Sequence, residues 1–407
     1  MPSISVVYFD AGGGHRNACQ AIRAVIAAQS LDWDVQSLNL QACLDSLDPF
    51  LQLTGVRVQD LYNLLLERGW TLAARPLLAT LHGLIRLYHE PMRKMLCEVW
   101  RRQRPDLVLS VIPNFNRVLA TSLRETLPGT PFVTLLTDMA DYPPHFWIER
   151  ESQYLICGTG RAVQQALALG HAPERVFCTS GMVLHPRFYA EALPDRGAAR
   201  RALGLAPDVP TLVVLFGGYG SDVMYDIARR LDRSATELQM ILICGRNARL
   251  AQRLSRMPRR KKIHVEGFTG RVPHYLAISD LFIGKPGPGS LSEALHFGLP
   301  VIVEKNAWTL PQECFNVDWI VEREVGICLR SFRHIAAAVD AMLAPGVLAQ
   351  FQTSARALPN RAVFEVPEIL ARILQGDQPL QALVASDSSS SESSLSSSLS
   401  SKSNWQG

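Results

Sequence analysis

Three glycine-rich turns each stand between an apolar run and a helical pattern, and each carries side chains able to do chemistry. The most informative is Lys285-Pro286-Gly287-Pro288-Gly289-Ser290-Leu291-Ser292-Glu293-Ala294. Its glycines and prolines set a tight turn, so free backbone N–H groups near Gly287, Gly289 and Ser290 meet the positive end of a helix. Such a place holds an anion or one edge of a sugar nucleotide. Glu293, about one turn into that helix, is suited to accept hydrogen bonds from the vicinal hydroxyls of a ribose. Gly217-Gly218-Tyr219-Gly220-Ser221 follows another apolar run. The amides of Gly218, Tyr219, Gly220 and Ser221 would cradle a diphosphate. The turn is not a Walker A, since no Gly-Lys-Ser/Thr ends it, and it lacks the spacing of a dinucleotide fingerprint. Near the start of the chain, Gly12-Gly13-Gly14-His15 ends a strand and begins a helix. Gly13 and Gly14 would let an acceptor approach the backbone. The helix dipole would keep His15 neutral at pH 7, as a general base acting on an alcohol requires.

Other residues surround these turns. Asp138 follows the run 132–137 at the strand edge where α/β sheets place their sites, and would orient or charge-stabilise His15. His145 and Trp147 lie in Asp141-Tyr142-Pro143-Pro144-His145-Phe146-Trp147, a loop whose aromatics would line an acceptor pocket. Gln312 and Glu313 put an amide and a carboxylate side by side, suited to bridging sugar hydroxyls; the competing reading is the first turn of a helix. Asp32-Trp33-Asp34 has the D-x-D form of a metal–diphosphate site. It precedes a strand at the end away from the expected site and has no accompanying ligands, so it reads as a solvated turn. No metal or cofactor is expected.

These residues need a frame that brings sequence-distant turns together. At 407 residues two domains are the default. Apolar runs at 4–9, 35–40, 107–112, 132–137 and 154–157 alternate with helical patterns, and a second series follows at 211–216, 240–244, 263–265, 280–284 and 301–304. Strands spaced by helices predict parallel sheets covered on both faces. The pattern breaks near 186–195. The predicted division is an N-terminal domain 1–190 with a helical insertion at 41–104, a C-terminal domain 191–358, a final helix within 359–375 and a disordered serine-rich tail at 376–407. Residues 51–104 carry nine basic and four acidic side chains among leucines and aromatics. That reads as an amphipathic segment for an anionic membrane surface; the alternative is a core face with a solvated basic side. The net charge of +4 implies no nucleic acid, and eight scattered cysteines without a C-x-x-C pair argue against a zinc site or a disulfide framework. No signal peptide or spanning helix is read.

In order along the chain, the Gly-Gly-Gly-His start, the Thr137-Asp138 loop, the Gly-Gly-Tyr-Gly turn, the Pro-Gly-Pro-Gly-Ser-x-x-Glu-Ala element and the Pro-x-Gln-Glu-x-x-Asn element resemble the diacylglycerol glycosyltransferases of the monogalactosyldiacylglycerol synthase type, relatives of the peptidoglycan lipid GlcNAc transferase. The resemblance spans roughly 4–375 and is most specific at 285–316. It implies a GT-B fold, two Rossmann-like α/β domains facing a cleft. It further implies a UDP-sugar bound by the C-terminal domain and a lipid acceptor, diacylglycerol, reached through the N-terminal one at the cytoplasmic face of a membrane. By the same resemblance His15 is the base, Glu293 holds the ribose, Gln312 and Glu313 hold the donor sugar, and Gly267 and Phe268 lie where uracil is cradled. The loop 305–310 departs from the pattern by carrying Trp308. Transfer to a polyprenyl-linked acceptor, 2-epimerisation of a UDP-sugar and a non-catalytic UDP-sugar sensor are the alternatives.

Overall fold

The computed structural model describes residues 1–9, 13–45, 83, 85–143, 145–189, 194–307 and 309–376. Most of the helical insertion expected within 41–104, residues 377–407 of the expected tail, Gly12 and Trp308 lie outside the described residues.

Among the described residues the chain builds two six-stranded sheets in succession. The first half runs β1 (Ser3–Tyr8), α1 (Gly14–Ala28), β2 (Asp34–Asn39), α2 (Leu40–Leu44), α3 (His89–Gln103), β3 (Leu107–Ser110), α4 (Asn116–Thr126), β4 (Phe132–Leu135), β5 (Tyr154–Cys157), α5 (Gly160–Ala168) and β6 (Val176–Cys178). The second runs α6 (Arg196–Ala202), β7 (Thr211–Leu215), α7 (Val223–Asp232), β8 (Gln239–Ile243), α8 (Ala248–Ser255), β9 (Ile263–Glu266), α9 (Val272–Ala277), β10 (Leu281–Gly284), α10 (Pro288–His296), β11 (Val301–Glu304), α11 (Cys314–Glu322), β12 (Gly326–Leu329), α12 (Ile335–Met342), α13 (Val347–Arg356) and α14 (Ala362–Gln375).

The strand orders are β2-β1-β3-β4-β5-β6 and β12-β11-β10-β7-β8-β9, and the pairs are parallel. In each sheet the order reverses between the first strand and a later one, β1 beside β3 and β7 beside β10. Such a switch point opens a crevice beyond the carboxyl ends of the strands. The turns after β1, β7 and β10 therefore all open at switch points, and these are the three glycine-rich turns.

The continuous apolar runs follow from burial on both faces. Alternate side chains of β7 feed two separate cores: Leu212 and Val214 pack with α7, while Val213 and Leu215 pack with α10. The first sheet divides likewise, Ile4 and Val6 to one side and Val7 to the other. Covering a Leu or Ile fully is worth roughly 1.5–3 kcal/mol, so these alternating rows fix register as well as fold. Asp280, just ahead of β10, locks the start of the second sheet. It accepts from Arg200 Nη2 at 2.7 Å and from the Thr211 amide at 2.8 Å.

Helix α14 returns to the first half. Val363, Val366, Leu370 and Ile373 join the core of β1 and α1. Its start is tied down by Glu365, whose carboxylate accepts from the Ser180 amide at 2.8 Å and the Ser180 hydroxyl at 2.6 Å. Two strands escaped the sequence reading, β6 and β12. Each is an edge strand of three or four residues, too short to display a pattern of its own. The ends of β1 to β4, β7 and β8 fall one or two residues short of the expected runs, because last apolar residues such as Phe9, Val111, Ile112 and Leu136 already lie beyond the strands; β5, β10 and β11 end as expected and β9 runs one residue further.

Candidate active site

His15 is the second residue of α1, behind Gly13, whose φ of 84° only glycine adopts freely. A Cβ on Gly13 or Gly14 would meet nothing within 4 Å, so open space lies in front of the turn. The imidazole is wedged among neighbours. Its Nδ1 lies 3.2 Å from the Thr137 hydroxyl, and its ring centroid is 5.9 Å from that of Trp147. Burial holds its pKa down at about 4, against a hydrogen bond to the Val111 backbone that raises it. The ring is therefore neutral at pH 7, chiefly by desolvation rather than by the helix dipole invoked from the sequence.

Asp138 does not contact His15 through a direct hydrogen bond; its Oδ2 accepts from Trp147 Nε1 at 2.8 Å. Trp147 thus touches both residues, and it is fully buried. This corrects the expectation that Trp147 lines an acceptor pocket: a side chain with no exposed surface packs beneath the pair and holds it in place. His145 is exposed, with a φ of 63° and its Nδ1 3.3 Å from the Ile148 carbonyl. Sequence reasoning missed Asp141, the buried anchor of this loop, which accepts from the amides of His145 at 3.0 Å and Trp147 at 2.6 Å. Its signal was an acidic residue opening a proline-rich loop.

The second half supplies the opposing wall. Burial pushes the Asp138 carboxyl up to about 7. The bond from Trp147 lowers it, Glu313 raises it, Lys285 lowers it, and Asp141 raises it. Glu313 and Lys285 follow β11 and β10 of the second sheet, so the Asp138 corner and the donor turns face one space. Lys285 Nζ and Glu313 Oε1 are 3.2 Å apart, and the Glu313 side chain is nearly buried. A Cβ on Gly287 would stand 3.3 Å from Lys285 Cε and 3.4 Å from Glu313 Oε1, while Gly289 opens to empty space. Asn316 is tied by Nδ2 to the Pro286 carbonyl at 2.8 Å. The Oε1 of Gln312 and the Oδ1 of Asn316 are buried without a hydrogen-bond partner among the described residues. Two orphaned acceptors beside an ion pair are what a bound polyhydroxyl group would satisfy.

Glu293 projects from α10 and has no hydrogen-bond partner among the described residues; burial pushes it up to about 7, and Arg187 lowers it. Arg187 was missed from the sequence because it lies in the connection between the halves, a hundred residues from Glu293. In the turn after β7, Gly218 and Tyr219 are exposed and Gly220 and Ser221 half-buried. Gly267 and the exposed Phe268 follow β9. The Gly267 amide donates to Glu266 Oε1 at 3.0 Å, and Glu266 also accepts from the Tyr275 hydroxyl. Among the described residues no group of three or more His, Cys, Asp or Glu side chains is placed to hold a metal ion. Asp34 of the D-x-D accepts instead from Gln36 Nε2 at 2.8 Å, at the entrance of β2.

Residues 15–183 match the monogalactosyldiacylglycerol (MGDG) synthase family, and residues 211–305 match the glycosyltransferase family 28 C-terminal domain. The chain is a glycosyltransferase, similar to the MGDG synthases. A probable MGDG synthase, chloroplastic, of Glycine max is 28% identical over 397 residues, 91% of this chain and 71% of the relative. The chloroplastic MGDG synthase of Spinacia oleracea is 26% identical over 362 residues, 84% of this chain and 66% of the relative. Among solved structures, MurG of Acinetobacter baumannii aligns with a TM-score of 0.61 at 12% identity, covering 91% of this chain and all of that one. The UDP-GlcNAc 2-epimerase of Neisseria meningitidis bound to UDP-GlcNAc aligns at 0.58 and 11%, covering 92% and 100%. These two likenesses establish the architecture, GT-B. The glycosyltransferase's two matched domains meet the two sheets, with the break between them at the connection that holds Arg187.

Proposed function

We propose that the enzyme transfers galactose from a UDP-sugar to diacylglycerol in glycolipid synthesis, with inversion at the anomeric carbon. What supports this reading is that the charges of Lys285 and Glu313, beside the glycine turn of the second half, act on Asp138 of the first, which shares Trp147 with the neutral His15. The relatives named for MGDG synthesis supply the acceptor and the sugar. His15 takes the proton of the acceptor hydroxyl as the oxygen attacks the anomeric carbon from the face opposite UDP. Thr137 and Trp147 hold the imidazole. Asp138, close by, stabilises the imidazolium as it forms. The amides of Gly218 to Ser221 and the start of α10 stabilise the departing diphosphate, and Glu293 holds the ribose. Gln312 and Glu313 hold the sugar.

The acceptor is reached at a membrane surface. Among the described residues no single helix is long and apolar enough to cross a bilayer. The basic residues of α3 and of the stretch ahead of it support peripheral attachment to anionic lipid at the cytoplasmic face. Incubation with a panel of UDP-sugars and vesicles of diacylglycerol with anionic lipid, products identified by mass, tests the whole reading. The expected product is monohexosyldiacylglycerol from UDP-galactose. Transfer only to a polyprenyl-linked acceptor, or free epimerised UDP-sugar with no lipid present, would replace it.

A further inference from the structure

The turn that follows β8 has no part in the site as described so far, yet it lies between two parts that do. In the second sheet β8 is flanked by β7 and β9. The diphosphate turn, 217–221, follows β7, and the uracil turn, Gly267-Phe268, follows β9. A nucleoside diphosphate held at both ends must pass over the end of β8, where Gly245 and Arg246 sit.

Glycine contacts hold that passage closed-packed. Gly245 has a φ of 58°, and a Cβ on it would stand 2.3 Å from the Gly218 carbonyl oxygen. A Cβ on Gly220 would stand 2.5 Å from the Cys244 carbonyl oxygen. The Arg246 amide donates to that same Gly218 carbonyl at 2.8 Å. The backbone of Arg246 is thus fixed against the diphosphate turn. Its guanidinium reaches the other way, 4.6 Å from the ring centroid of Phe268, which is 65% exposed. No carboxylate pairs with Arg246 among the described residues, whereas nearby Arg253 has Asp222 at 3.8 Å. An exposed guanidinium with no carboxylate partner among the described residues lies over an exposed aromatic ring, on a residue whose own amide is bonded to the phosphate cradle.

Resting on the reading above, we infer that Arg246 is a donor-binding residue: it stacks on the uracil-side Phe268 and supplies the positive charge that the nucleoside diphosphate meets between its base and its leaving group. A planar cation suits both tasks, because it donates in a fork to phosphate oxygens while its face rests on a ring. A fixed cation there also balances charge as UDP departs.

The test compares UDP with uridine on the full-length protein by calorimetry, in wild type, Arg246→Ala, Arg246→Lys and Phe268→Leu. Arg246→Ala should weaken UDP by roughly tenfold or more, the size of a lost charge-assisted contact, and uridine by much less. Arg246→Lys should recover most of the UDP affinity, since charge is retained. Phe268→Leu should weaken uridine and UDP alike. Arg246→Ala binding UDP as wild type does overturns the inference, and so does an equal loss for uridine and UDP. Wild-type protein that binds neither ligand overturns the donor reading itself, a result that these variants cannot imitate.

Discussion

The two walls of the cleft solve different problems by opposite means. On the first, side chains are taken out of water. His15 is driven down to about 4 and Asp138 up to about 7, both chiefly by burial, and the fully buried Trp147 lies against both. On the second, backbone is left in water. Gly218 and Gly289 are exposed and Phe268 and Arg246 stand at the surface, while burial is kept for the groups assigned to ribose and sugar, Glu293, Gln312 and Glu313. The contrast follows from the chemistry asked of each. A general base needs a tuned proton affinity, which only desolvation and fixed neighbours provide. A charged, freely exchanging nucleotide needs donors that are already aligned and easily reached.

The sharpest way to break the comparison is His15→Ala. Turnover should fall by roughly 10²–10⁴-fold, the usual contribution of a general base, while UDP affinity by calorimetry stays near wild type. Retained turnover would take the proton transfer away from the first wall. Next is Gly245→Ala, which puts a side chain at a φ of 58° and against the Gly218 carbonyl. It should cost on the order of 2 kcal/mol of stability and raise the KM for donor several-fold, with vesicle binding unchanged. A denaturation midpoint equal to wild type would show the diphosphate turn to be less tightly braced than the contacts imply.

Trp147→Phe removes the bond that lowers Asp138 while leaving donor contacts intact. Where ionised Asp138 supports the imidazolium, kcat/KM of wild type rises with pH through about 7. In the variant that limb moves to higher pH, with a loss of about tenfold at pH 7 that shrinks at pH 9. An unshifted limb would exclude Asp138 as its source.

Stability against pH separates His15 from Glu293 by sign. Folded His15 stays unprotonated where an unfolded histidine, near 6.5, takes a proton, so it destabilises the fold as pH falls from about 6.5 to about 4. Folded Glu293 keeps its proton where an unfolded glutamate, near 4.5, loses it, so stability is lost as pH rises from about 4.5 to about 7. Urea midpoints should therefore show His15→Ala gaining on wild type most at pH 5 and Glu293→Gln gaining most at pH 8; reversed signs would contradict the burial argument. The smallest expected effect belongs to Asp34→Asn. At a half-buried strand entrance, away from the cleft, it should alter stability by less than about 0.5 kcal/mol and leave kcat and its dependence on added Mg²⁺ unchanged. A marked loss of activity would return the D-x-D to consideration.

Much of this was legible in the chain. The apolar runs of β3, β7, β8 and β10 and the punctuation of Gly217–Ser221 and Lys285–Ser290 disclosed the sheets and the donor turns, because strand burial and tight turns are local demands on residue type. The face of α1 was legible for the same reason: Ala18, Ile22, Val25 and Ile26 recur at helical spacing and all are buried. Edge strands β6 and β12 were not, since three or four residues at a sheet margin carry no periodicity.

The roles of Trp147, Arg187 and Arg246 were decided only in three dimensions. Trp147 reads in sequence as one more loop aromatic, and what makes it a support is that its indole meets residues 9 and 132 positions away. Arg187 acquires Glu293 only when the connection between the halves folds under α10. Arg246 acquires its place from the order of β7, β8 and β9, which no single strand specifies. Local pattern determines which segments are strands, turns and helices, because those choices depend on neighbours along the chain. The pKa values of His15 and Asp138, and the pairing of one wall with the other, depend on what is excluded from around them, and only the packed tertiary structure decides where water cannot go.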